Sequence, residues 1–129
     1  MTDTLTTYRT VTPYLLVPDA EKELSFLSRA FGATEVQVGR TPEGHIAHAE
    51  IRIGDTLVML GQAGGVFEPR AAAIFLWVED VDATYDRALA AGGTSESVPT
   101  DKPYGHRVGG VVDPNGVTWW IGSPLAPVR

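Results

Sequence analysis

A chain of 129 residues with no cysteine and a formal net charge of −6 suits one domain that buries roughly two thirds of its unfolded surface. The lack of thiols excludes a disulfide framework and a thiolate nucleophile, so a metal site would have to draw on His, Asp or Glu. The acidity argues against a phosphate-backbone partner, and with no basic leader in MTDTLTTYRT and an apolar run, Ala71 to Val78, too short to span a bilayer, the expectation is a cytoplasmic protein with no nucleic-acid or membrane partner.

Tyr8 to Val17, rich in β-branched and aromatic residues, predicts a strand that Pro18-Asp19 ends. Asp19 is placed to cap a helix, with Glu21 and Glu23 in its first turn where carboxylates suit the helix dipole. Leu24, Phe26, Leu27, Ala30 and Phe31 supply its apolar stripe, and Gly32 stops it. Three strands are expected at Thr34 to Arg40, His45 to Ile53 and Thr56 to Gly61, separated by turn signals at Pro42-Glu43-Gly44 and Gly54-Asp55. Gln62 to Arg70 reads as a loop.

The order then repeats. Ala72 to Val78 predicts a strand, Asp80 caps a helix over Val81 to Ala91, and Gly92-Gly93 ends it. Thr94 to Val98 offers a short strand and Thr100 to Tyr104 a loop. Arg107 to Val112 and Val117 to Ile121 flank Asp113-Pro114-Asn115-Gly116, whose Pro presets φ and whose Asn-Gly tolerates positive φ, so they form a hairpin. Placing Val17-Pro18-Asp19 on Val78-Glu79-Asp80 gives an offset of 61, and placing Phe31-Gly32-Ala33-Thr34 on Ala91-Gly92-Gly93-Thr94 gives 60. A near-constant offset with the same element order indicates an internal duplication. The expected fold is α+β: two tandem β-α-β-β-β modules, at about 8–61 and 71–122 of a single domain spanning 1–129, forming a curved mixed sheet with one helix per module on the convex face.

The two halves, the FLSRAFGA segment (Phe26 to Ala33), the VEDVDATYDRALAAGG segment (Val78 to Gly93) and the ending YGHRVGGVVDPNGVTWWI resemble the vicinal oxygen chelate superfamily. This is the glyoxalase/bleomycin-resistance/extradiol-dioxygenase fold, and the closing motif is most similar to its PhnB-like and antibiotic-resistance-like members. That scaffold hosts isomerases, dioxygenases, thiol transferases and non-catalytic drug-binding proteins, so the resemblance by itself implies a fold more than an activity. It implies a homodimer with clefts between paired sheet halves. In enzymes of the family each half supplies a His five residues before the valine that precedes the helix-capping Asp, and a Glu or similar ligand on its last strand. Those positions fall here on Thr12, Ala73, Met59 and Trp120, none a good divalent-metal ligand. No cofactor is therefore expected. A divalent ion would need another set, drawn from His48, Glu50 or His106.

His45 and His48 are three apart and so point to opposite faces of one strand, whereas His48 and Glu50 share a face. His48 is a candidate polar lining residue. Arg107 could clamp an anionic group on a ligand or pair with a surface acid. If Thr12 and Ala73 face the hollow of the sheet, Tyr14, Leu16, Phe75, Trp77, Leu57, Met59, Thr118 and Trp120 follow by parity. His48, Glu50 and Arg52 join them if Ala47, Ala49, Ile51 and Ile53 take the helix side. Trp119 then lies under the helices. The candidate ligand-binding residues are Tyr14, His48, Glu50, Met59, Phe75, Trp77, Tyr104, Arg107 and Trp120, which suit a planar aromatic or cationic small molecule. The same aromatics could instead fill the core or a subunit interface. The leading expectation is metal-independent sequestration of such a compound by a homodimer. The alternative is a metal-dependent lyase, isomerase or dioxygenase with a non-standard ligand set, and a scaffold without ligand is a third reading.

Overall fold

A computed structural model describes residues 10–65, 68–70 and 72–125. Tyr8 and Arg9 of the expected first strand, and residues 66, 67 and 71 at the join between the halves, lie outside the described residues. The elements are β1 (Tyr14–Val17), α1 (Ala20–Phe31), β2 (Thr34–Arg40), β3 (Ile46–Ile53), β4 (Thr56–Gln62), β5 (Ala73–Trp77), α2 (Val81–Ala90), β6 (Thr94–Asp101), β7 (His106–Val112) and β8 (Thr118–Pro124). Each module forms its own four-stranded mixed sheet, in the orders β1-β4-β3-β2 and β5-β8-β7-β6. The first strand of each runs parallel to the last, and the other pairs are antiparallel.

Both helices begin as their caps dictate. The Asp19 carboxylate accepts from the Lys22 amide, and Asp80 does the same for Ala83. Gly32 closes α1 in the left-handed conformation at φ 69°. β6 runs past the expected end at Val98, through Pro99 to Asp101. It is an edge strand, and its register shifts between Ser97 and Thr100, so Pro99 sits where no ladder donor is required.

One core spans both modules. Leu15, Val17, Phe26, Leu27, Ile51 and Leu60 from the first join Val81, Val111, Trp119 and Ile121 from the second. The helices meet across the joint, and each sends an arginine to the other's last turn: Arg29 donates to the Ala90 carbonyl at 3.0 Å and Arg87 to the Ala30 carbonyl at 3.4 Å. α2 is set down close to its sheet at Gly93, where an added Cβ would lie 2.3 Å from Val111 Cγ1 and 2.9 Å from the Ala88 carbonyl oxygen. Backbone cannot swing aside as a side chain does. Gly93→Ala is therefore expected to cost about 1–3 kcal/mol, read as a lower urea midpoint at unchanged slope.

The duplication also repeats a packing device. Tyr14 lies against Gly61, where an added Cβ would stand 2.8 Å from its hydroxyl, and Phe75 lies against Gly122, with 2.5 Å to its Cζ. Both members of the second pair stand 61 residues after those of the first. In each module an aromatic ring on the first strand covers a glycine on the neighbouring last strand, which leaves the ring on the face turned away from the helices.

Candidate functional site

Alternation along the strands decides which side chains leave the core. In β1, Leu15 and Val17 are buried while Tyr14 is 57 % exposed. In β8, Trp119 is buried under α1, its ring 5.0 Å from that of Phe31, and Trp120 lies on the other face against Gly110. In β3, Ala49, Ile51 and Ile53 are buried, so His48, Glu50 and Arg52 take the opposite face. Ala47 departs from the expected alternation: it is exposed and Ile46 is buried, because a register shift between Gly39 and Arg40 inserts a bulge there.

Eight of the nine candidate residues thus fall on the helix-free faces, in two groups on separate sheets. On the first sheet Tyr14 meets the His48 ring edge-on at 6.0 Å, His48 Nε2 stands 3.8 Å from Glu50, and Met59 is the strand partner of both Glu50 and Tyr14. On the second, Phe75 and Trp77 are 4.5 Å apart, Trp77 and His106 4.9 Å, and His106 and Tyr104 5.4 Å. Trp120 is the strand partner of Phe75. The rings form one continuous patch in which Phe75 is 41 % and Trp77 55 % exposed.

Of the two readings open for Arg107, ligand clamp or surface ion pair, the structure shows the pair. Arg107 follows His106 by one residue and so points to the helix side, where its guanidinium binds Asp82 of α2 at 3.0 Å and Asp101 at 2.9 Å. The hydrogen bonds it donates to Asp82 first and Asp101 second push its pKa further up. Both acids occupy it.

Where the resemblance puts metal ligands stand Thr12, just before β1, and Ala73, Met59 and Trp120, whose side chains are poor donors to a divalent ion. His48 and Glu50 form a pair, and His45 lies in the β2–β3 turn, outside the strand that carries them. Among the described residues no three His, Asp or Glu side chains gather into a set that could hold a metal.

Sequence patterning did not reveal two further features. A cleft of about 380 Å³ opens at the joint between the modules, walled by Phe31, Phe75, Trp77 and Trp119, with Thr84 and Arg87 of α2 at its polar side. Of the nine candidates it contains Phe75 and Trp77 alone. It depends on two halves meeting, which no local pattern encodes. The second feature is Glu23, read above as a first-turn acid suited to the helix dipole and found fully buried. The signal was present: Glu23 stands four residues before Leu27, on the apolar stripe.

Comparison with known proteins agrees with this architecture. The model of the Glyoxalase/Bleomycin resistance protein/Dioxygenase superfamily matches residues 8–121. The uncharacterized protein Rv0887c of Mycobacterium tuberculosis (strain ATCC 25618 / H37Rv) is 36 % identical over 130 residues, covering 92 % of this chain and 76 % of that protein. Among solved structures, TioX from Micromonospora sp. ML1 superposes with a TM-score of 0.78 at 27 % identity, covering 91 % of this chain and 99 % of TioX. A PhnB protein from Bacillus cereus, described as a putative 3-demethylubiquinone-9 3-methyltransferase, superposes at 0.67 with 19 % identity, over 89 % of this chain and 99 % of that one, a likeness of fold alone. With its two β-α-β-β-β modules and a family match over nearly the whole chain, this protein belongs to the glyoxalase/bleomycin resistance protein/dioxygenase superfamily.

Proposed function

We propose that the protein binds a planar aromatic or cationic small molecule without the help of a metal and sequesters it, as an antibiotic-resistance protein would, in the cytoplasm. The observation that carries this reading is the ring patch of Phe75, Trp77, His106 and Tyr104, left open to solvent on a strand face where large aromatics are costly to leave wet. Flat rings stack on such a patch, and the indole face of Trp77 attracts a cation. The counter-charge comes from the other sheet, where Glu50 and His48 stand on the helix-free face.

In this reading the working form is a homodimer. β1 and β5 are the outermost strands of their sheets, and each carries an exposed aromatic, Tyr14 or Phe75. Apposing the first module of one copy to the second module of another covers both and brings the carboxylate of Glu50 towards the ring patch. Light scattering across a concentration series is expected to give twice the monomer mass. A monomer at all concentrations would remove the dimer.

The binding test is thermal unfolding with and without proflavine, a planar aromatic cation. A ligand selective for the folded state at a hundred times its Kd stabilises by about 2.7 kcal/mol, a shift of several degrees. Trp77→Ala, at an exposed site, is expected to leave the unliganded melting temperature nearly unchanged and to abolish the shift. No shift with proflavine or with neutral planar aromatics, or a shift that survives Trp77→Ala, counts against the proposal.

A further inference from the structure

We infer that Glu23 and Asp113 share a proton, and that this proton latches α1 of the first module to the β7–β8 turn of the second, so that the joint between the modules loosens as the pH rises.

The two carboxyl groups differ in the donors they receive. Asp113, 4 % exposed, accepts three donors: the amides of Asn115 at 2.9 Å and Val117 at 3.0 Å on Oδ1, and the Trp119 indole at 2.9 Å on Oδ2. Those three donors claim lone pairs on both of its oxygens. Glu23 has one donor, the Asn115 side-chain amide, at 3.0 Å on Oε1. Its Oε2 is buried and, as a carboxylate oxygen, has no donor to accept from, while Asn115 bonds both side chains and so sets Glu23 beside Asp113. A proton on Oε2 resolves both facts, because the orphan acceptor becomes a donor aimed at the Asp113 anion.

The same residues tie the modules together. Asn115 accepts from the Asp19 amide at 2.9 Å and donates to the Asp19 carbonyl at 2.8 Å, so the turn grips the first residues around the α1 cap. Asp113 and Asn115 face Glu23 from the turn, and Asp19 on its own element is held by Asn115 and the Lys22 amide. Burial first, then the hydrogen bond and charge of Asp113, push the Glu23 pKa up to about 9, against the opposing pull of Asn115.

The duplication supplies an internal comparison. Thr84 stands 61 residues after Glu23, also buried on its helix, and the seat it faces across the joint is the open cleft beside the short Gly54-Asp55 turn. The fold therefore builds this seat once with an acid pair and once without. The proton belongs to this joint and is not a requirement of the architecture.

The sign follows from linkage. The folded state keeps its proton up to about pH 9, whereas the unfolded chain releases it near 4.5. The contribution is complete below the lower value and is lost as the pH rises through the window between them. The test is urea unfolding of the full chain and of Glu23→Gln at pH 5, 6, 7 and 8. The amide of the variant donates to Asp113 and accepts from Asn115 at every pH, and other titrating groups cancel in the difference. The unfolding constant of the wild type relative to the variant is expected to rise about tenfold per pH unit, the mark of one proton. Equal pH slopes would overturn the inference. Should the variant fail to fold, the ¹³C shift of the wild-type Glu23 carboxyl decides: a midpoint well above 7 supports the latch, and one near 4.5 overturns it.

Discussion

Trp119→Ala is expected to lower the unfolding free energy by about 3–5 kcal/mol, the usual cost of emptying a large aromatic site in a core. Trp119 is the largest of the fully buried side chains, 1 % exposed, and it packs on Phe31 at the joint between the modules. Its loss would enlarge the seam cleft that it helps to wall and leave one oxygen of Asp113 without its donor. For a domain whose whole stability is about 5–15 kcal/mol, that is a large share. Urea titration is the measurement, and Trp119→Phe separates the parts. The ring retained by Phe should recover most of the packing but not the hydrogen bond, which is worth about 1.5–3 kcal/mol when the acceptor is charged. A loss below about 1.5 kcal/mol for Trp119→Ala would mean that the joint is not packed as described.

Asp113→Ala comes second, at about 3 kcal/mol or more, since it strands two backbone amides and an indole N–H in a buried turn and each orphaned donor costs about 1–3 kcal/mol. Asp113→Asn is the sharper variant. Its volume is unchanged and its oxygen can still receive the amides of Asn115 and Val117, but its NH₂ group would face the Trp119 indole donor, setting donor against donor. It should lose nearly as much as one full orphaned pair, whereas a merely polar requirement would make it neutral. Thermal unfolding at fixed pH distinguishes the two results.

Much of the local architecture was legible along the chain because it is written in local chemistry. Asp19 and Asp80 cap where short polar acceptors precede apolar periodicity, Gly32 ends a helix with positive φ, and Asp113-Pro114-Asn115-Gly116 turns a hairpin. Parity assigned Trp119 and Trp120 to opposite faces because a strand allows nothing else. For Arg107 residue type alone left a ligand clamp and a surface ion pair open, and the choice fell to Asp82 and Asp101, which stand 25 and 6 residues away in the chain.

By itself, then, the sequence determined the two repeated modules, their caps and turns, and the opposite faces taken by Trp119 and Trp120, since each of these depends on neighbours a few residues apart. Tertiary structure alone decided that the candidate residues split between two sheets, that an aromatic cleft opens where the halves meet, and that Glu23 is buried against Asp113. Those contacts join residues as far apart as Glu23 and Asn115, 92 positions along the chain. Their energies come from burial and from charge in a low-dielectric seam, quantities that exist only once both halves are folded together.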